Sequence, residues 1–305
     1  SPDGSKIYAG WQDSSATGIV SQIEPATKNV TNFNLGPNAS PFYVRTSPDG
    51  TRVYASDSPG HKLWVIDLAT GSINSYSTTF GPYVFEVSRD GTKGYFLNDT
   101  VSPYGIKMID LASSIGTEIA NLQIPDAQYV NDMVITSDES TAYVLGYDYS
   151  YTYKIYKIDL VYSGIVELIA FLPDQLGYAF SPNRIILDEL HGNLIASGMY
   201  VDAFQIAKIP LSDPGSYLFT SSILPGQVND LLLSRDGSVL FVTYYSSDYF
   251  HVFDANDINI IRAESSFTIP GVQGGPMVSS PDGKTVYAVT GQYLTGSQLN
   301  LEIIR

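Results

Sequence analysis

The chain contains no cysteine, three histidines, two tryptophans and four methionines in 305 residues. Without cysteine there is no disulfide framework, no thiolate zinc site and no cysteine nucleophile. Basic residues are also scarce: 16 lysines and arginines stand against 31 aspartates and glutamates, for a net charge of −15. That balance argues against nucleic acid and anionic membrane, because both select basic patches. No apolar run approaches the length that crosses a bilayer, so no membrane insertion is expected. Helical periodicity is essentially missing. What remains is a polar, acidic, strand-forming chain.

Tyrosine is abundant, with 23 copies, and suits pleated half-buried strands and wet-ended contact surfaces. The strongest signal is a repeated turn. It is clearest at Ser47-Pro48-Asp49-Gly50, and recurs at Ser1-Pro2-Asp3-Gly4, Ser88-Arg89-Asp90-Gly91, Ser234-Arg235-Asp236-Gly237 and Ser280-Pro281-Asp282-Gly283. Looser copies lie at Ser137-Asp138-Glu139-Ser140 and Asp188-Glu189-Leu190-His191-Gly192. Proline presets φ at the second position, aspartate bonds back to nearby amides, and glycine accepts positive φ. Successive copies start 41 to 51 residues apart. Each is followed by a strand ending in an apolar pair such as Val53-Tyr54 or Leu240-Phe241. A polar loop and a second strand follow, as in Ile66-Asp67-Leu68.

A period of this length with four short strands per unit predicts an all-β, seven-bladed β-propeller of four-stranded antiparallel blades. With strands a to d counted outward, the first unit lacks strand a and the last ends after strand c, so both end blades are incomplete. No linker or composition shift marks a boundary, so a single domain over 1–305 is expected. The chain opens inside a repeat, which predicts a mature or excised part of a longer chain.

The unit SPDGTRVYASD…KLWVIDLATGSI over residues 47–78 resembles the YVTN-type repeat of bacterial and archaeal surface-protein propellers, and is similar to the wider lactonase-like group. The resemblance implies the fold. It leaves function open between hydrolase, lyase, electron-transfer subunit and binding surface.

Topology narrows the search for a site. The b–c loops and d-to-a crossings share the irregular rim, where aromatic rings sit beside amides and carboxylates: Trp11 in Gly10–Asp13, Tyr149 in Tyr147–Tyr151, Tyr249 in Tyr245–Tyr249. A second candidate is the start of strand a, facing a central channel. There Asn131-Asp132, Asn183-Arg184 and Asn229-Asp230 recur in consecutive units, with Tyr43 and Tyr83 at comparable places. Such a ring fits a small polar ligand, or a hard cation such as Ca2+ through oxygen ligands. The competing reading is that these groups cap unpaired strand amides. Deeper in strand a, Arg45 and Glu86 match across adjacent units and predict an ion pair.

No histidine falls on any strand a, and His61, His191 and His251 are too dispersed for a shared metal or relay. A lactonase site is therefore disfavoured, while a lyase would need a tyrosine base with Arg184 as charge neutraliser. The expectation is a monomeric binding module, secreted, periplasmic or at a cell surface. Its partner would be a glycan or a protein, and the alternative is a lactonase-like hydrolase or polysaccharide lyase at the channel mouth.

Overall fold

The computed structural model describes residues 1–100, 102–113, 116–162, 164–171, 180–201, 203–220, 224–245, 249–258, 267–268, 273–291 and 300–304. Seven antiparallel sheets follow one another along the chain. The first has three strands, Ile7–Gln12, Thr17–Ile23 and Val30–Pro37. The second to sixth have four strands each, and the seventh has three, Gln273–Ser279, Val286–Gly291 and Asn300–Ile304. Every sheet is a simple meander in chain order. The missing strands are the first of sheet one and the last of sheet seven, as the repeat count predicts.

Among the described residues, backbone contacts form two compact units, the first within residues 1–130 and the second from residue 131 onward. In each unit the core is not one mass but a series of clusters between consecutive sheets. In the first, Val20 and Leu35 of sheet one meet Val53, Ala55 and Ile66 of sheet two. Tyr54, Leu63 and Val65 then meet Phe85, Phe96 and Ile109 of sheet three. In the second unit, the strand Asn193–Tyr200 shows how one strand serves two clusters. Leu194 and Ala196 face sheet four, while Ile195 between them faces sheet six. Period-2 alternation sends neighbours to opposite faces, and both faces are covered, so six consecutive residues are buried. The strands Arg52–Asp57 and Lys93–Asn98 show a similar run of buried residues in sheets two and three.

The turns are built as their residues dictate. Ser47 Oγ accepts the Arg52 amide (2.9 Å) and donates to Asp49 Oδ1, which in turn accepts the Thr51 amide (3.0 Å). Gly50 sits at φ +69°. Ser88, Ser234 and Ser280 repeat the hydroxyl-to-aspartate link with Asp90, Asp236 and Asp282. In sheet four the frame begins one residue earlier than expected: Thr136 supplies the hydroxyl to Asp138, and Glu139 takes the left-handed position at φ +60°. Hydroxyl and amide donors hold the Asp49, Asp90, Asp138 and Asp236 carboxyls down at about 2.

Candidate functional site

In the second unit, the leading strands of sheets four to seven are Ala127–Ile135, Ser181–Asp188, Val228–Leu233 and Gln273–Ser279. Those of sheets five and six pack side by side, as do those of sheets six and seven. Their registers slip near their starts, between Pro182 and Arg184, between Val228 and Asp230, and between Gly274 and Met277. A bulge leaves one residue unpaired and re-aims its side chain. Asn183 and Asn229 are those residues.

The bulges bring the predicted polar residues into one network. Arg184 donates from Nε to the Asn229 carbonyl (2.8 Å) and from Nη2 to Tyr245 Oη (3.0 Å). Asn183 Nδ2 donates to the Val228 carbonyl (3.0 Å). Asp230 Oδ1 accepts the Leu231 amide (3.0 Å), and Oδ2 accepts the Met277 amide of the next sheet (2.7 Å). Asp132 does the same one sheet earlier, accepting the Met133 amide (2.9 Å) and the Ile185 amide (3.0 Å). The two aspartates therefore cap amides of the neighbouring leading strand, one of the two roles the sequence left open.

Burial pushes the Asp230 carboxyl up to about 6, against the pull of the Met277 amide and Arg184. Part of the Asp230 residue is nonetheless solvent-accessible, as are parts of Asn183, Arg184, Asn229 and Tyr245. Asn131 lies partly accessible on the leading strand of sheet four, with its Oδ1 shielded and without a hydrogen-bond partner. Tyr245 belongs to this site although sequence reasoning placed it only in a loop. Its neighbour in space is 61 residues away in the chain, and no local pattern reports that.

In the first unit, Tyr43 and Tyr83 meet edge-on (5.5 Å), and Phe42 packs on Tyr83 (5.3 Å). Ser56 ties both segments, accepting the Tyr43 amide and donating to the Tyr83 carbonyl. The Arg45–Glu86 pair forms as predicted, through two bonds of 3.0 and 2.7 Å. Asp99 lies in the same unit, just after the strand Lys93–Asn98. Burial lifts its carboxyl to about 6, Tyr129 Oη donates to Oδ2 (3.4 Å), and Oδ1 has no hydrogen-bond partner.

The rim aromatics stand apart from these networks. Trp11 donates to Ser21 Oγ within sheet one (2.8 Å), and Tyr149 is exposed at a hairpin tip of sheet four. The Tyr249 side chain and residues 246–248 lie outside the described residues. His251 sits in the strand Tyr249–Asp254, with Nδ1 2.8 Å from Tyr244 Oη. Among the described residues no group of three or more histidines, aspartates or glutamates is arranged to hold a metal ion. Nor is any helix among them long and apolar enough to cross a membrane.

No family model matches the chain, and no curated protein does. Solved structures do. A chain of the Kuenenia stuttgartiensis hydrazine synthase superposes with a TM-score of 0.75 at 15% identity, over 100% of this chain and 93% of that one. The Myceliophteria thermophila Cps50 (Swd1) β-propeller domain gives 0.71 at 14% identity, over 98% and 93%. The fold is a β-propeller. An oligogalacturonate lyase in complex with manganese gives 0.66 at 15% identity, over 99% and 86%. At these identities the likeness carries the propeller fold alone, with seven blades given by the seven sheets.

Proposed function

We propose that this propeller is a binding module whose leading-strand recess in sheets five and six takes a polar, hydroxyl-bearing ligand, a glycan or a protein side-chain array. The observation that carries this is the juxtaposition at two bulges of a guanidinium, a phenol, two amides and a carboxyl poised near pH 6. Such a mixture of donors and acceptors matches hydroxyls and single carboxylates, whereas the net charge of −15 disfavours dense polyanions. The acidic, cysteine-free composition fits an extracytoplasmic setting, secreted, periplasmic or on a cell surface.

Calorimetric titration with neutral and uronate-containing oligosaccharides tests the reading, using Arg184→Ala and Asn229→Ala beside the parent chain. Each variant should keep the parent melting profile and lose about tenfold or more in affinity, about 1.4 kcal/mol. Full affinity in both removes these residues from the site.

One observation favours a second reading, eliminative cleavage of a uronate. Arg184 lies 3.0 Å from Tyr245 Oη, the pairing that a tyrosine base with a charge neutraliser requires. Tyr245 Oη would take the proton α to the carboxylate held by Arg184, the freed pair would form the new carbon–carbon double bond, and the glycosidic oxygen would leave with its bonding pair. Unsaturated product formed from polygalacturonate, abolished by Tyr245→Phe, would decide for the enzyme. No product with the parent chain, with or without added manganese, decides against it.

A further inference from the structure

The hairpin joining Thr141–Asp148 to Tyr153–Asp159 in sheet four carries four tyrosines in alternate positions, Tyr147, Tyr149, Tyr151 and Tyr153. Tyr149 and Tyr151 are 66% and 68% exposed, two large rings close together at one hairpin tip. Tyr147 stacks on Tyr151 (5.9 Å, 23° between planes) and contacts Tyr153 (5.3 Å). The backbone beneath is fixed. Asp148 Oδ1 accepts the Ser150 and Thr152 amides (2.8 and 3.0 Å), its carbonyl accepts the Tyr151 amide (2.9 Å), and Tyr151 sits at φ +59°. Lys154 clamps the base by reaching both Asp148 (3.2 Å) and Glu167 (2.7 Å).

We propose that this tip is a platform for a neutral glycan, one pyranose ring lying on the exposed faces of Tyr149 and Tyr151. Two features select that partner. The one lysine of the tip is shared between two carboxylates, so the patch has no spare positive charge for an acidic glycan or a phosphate. Tyr147 stacks near-parallel on Tyr151, so these two rings leave no slot between them for a proline or an organic cation. Exposed aromatic faces on a hydrogen-bonded turn lose little entropy on binding and suit the C–H face of a sugar. The platform shares no residue with the Arg184 recess.

Affinity electrophoresis through gels containing soluble mannan, xylan, mixed-linkage glucan or dextran tests it, with polygalacturonate and a proline-rich peptide as comparators. At least one neutral polysaccharide should retard the parent chain. Tyr149→Ala with Tyr151→Asn should weaken that binding about tenfold or more. Both rings are exposed, and asparagine tolerates the left-handed backbone, so the melting profile should not change. Tyr162→Ala, in the turn beyond the far end of the strand Tyr153–Asp159, should bind like the parent, as should Arg184→Ala. No retardation by any neutral polysaccharide, binding only to a comparator, or full binding by the double variant overturns the proposal.

Discussion

Arg45 and Glu86 form a two-bond ion pair between sheets two and three, yet each side chain is about one-third exposed, at 35% and 37%. Solvent screens such a pair, and exposed pairs of this kind contribute at most about 1 kcal/mol. Beside them Phe85 and Phe96 are fully buried and stack 5.1 Å apart, 8° from parallel. Removing a buried ring loses its transfer free energy and leaves a cavity, about 3–5 kcal/mol for phenylalanine to alanine. Urea denaturation should therefore show Phe96→Ala far more damaging than Glu86→Gln, whose cost stays below about 1 kcal/mol. Equal losses would mean that charge, not ring packing, joins these sheets. The pair itself was legible in the sequence, because Arg45 and Glu86 hold the same place in successive repeats. The depression of Asp49 and its counterparts was legible for a similar reason, since serine, aspartate and glycine at fixed spacing define one local turn.

Strands and their count were legible because alternation and turn chemistry are local. The bulges were not, and they make the site. Nothing in Pro182-Asn183-Arg184 says that the register slips there, since the slip is decided by the partner strand. Nor does the chain show that Asp230 reaches the Met277 amide in the next sheet. The tight spot that holds the sheet-five bulge in place is Gly198, paired with Pro182. A Cβ at Gly198 would overlap the Ser181 carbonyl and the Pro182 backbone, which cannot rotate away as a side chain would. Gly198→Ala should push the leading strand off its partner and cost about 1–3 kcal/mol. It should also shift Asn183 and Arg184, so that recess binding falls although no binding group has changed. Gly164→Ala is the control: its nearest neighbour would be the Asp159 Cβ at 3.8 Å, an ordinary contact. Thermal melts should separate the two variants clearly, and a Gly198→Ala protein as stable as Gly164→Ala would show that the leading strand has room to move.

Across the whole molecule, acidic groups fall into two opposed classes that set how stability follows pH. Asp99 and Asp230 have carboxyls raised from the ordinary 3.8 to about 6 by burial. A raised carboxyl favours the folded chain when protonated, so its contribution is complete below about pH 3.8 and is lost as pH climbs through about 6. The turn aspartates Asp49, Asp90, Asp138 and Asp236, held at about 2, do the reverse: their contribution stands above 3.8 and is lost as pH falls towards 2. His251, lowered by burial, opposes the first class, since it favours folding while neutral and loses that contribution on acidification. A net charge of −15 adds self-repulsion that eases as carboxylates protonate. Among the described residues, the raised Asp99 and Asp230 carboxyls and the falling repulsion outweigh His251 and the Ser1 amine, which burial also lowers. The melting temperature should therefore rise from about pH 7.5 to about pH 5, then drop below about pH 4 as the turns lose their anions. Asp99→Asn and Asp230→Asn should each flatten the rise without moving the acid-side drop, because the two limbs belong to different residues. A melting temperature that declines steadily from neutral pH would show that the buried carboxyls stay ionised in the folded chain, compensated by neighbours stronger than the Met277 amide and the Tyr129 hydroxyl.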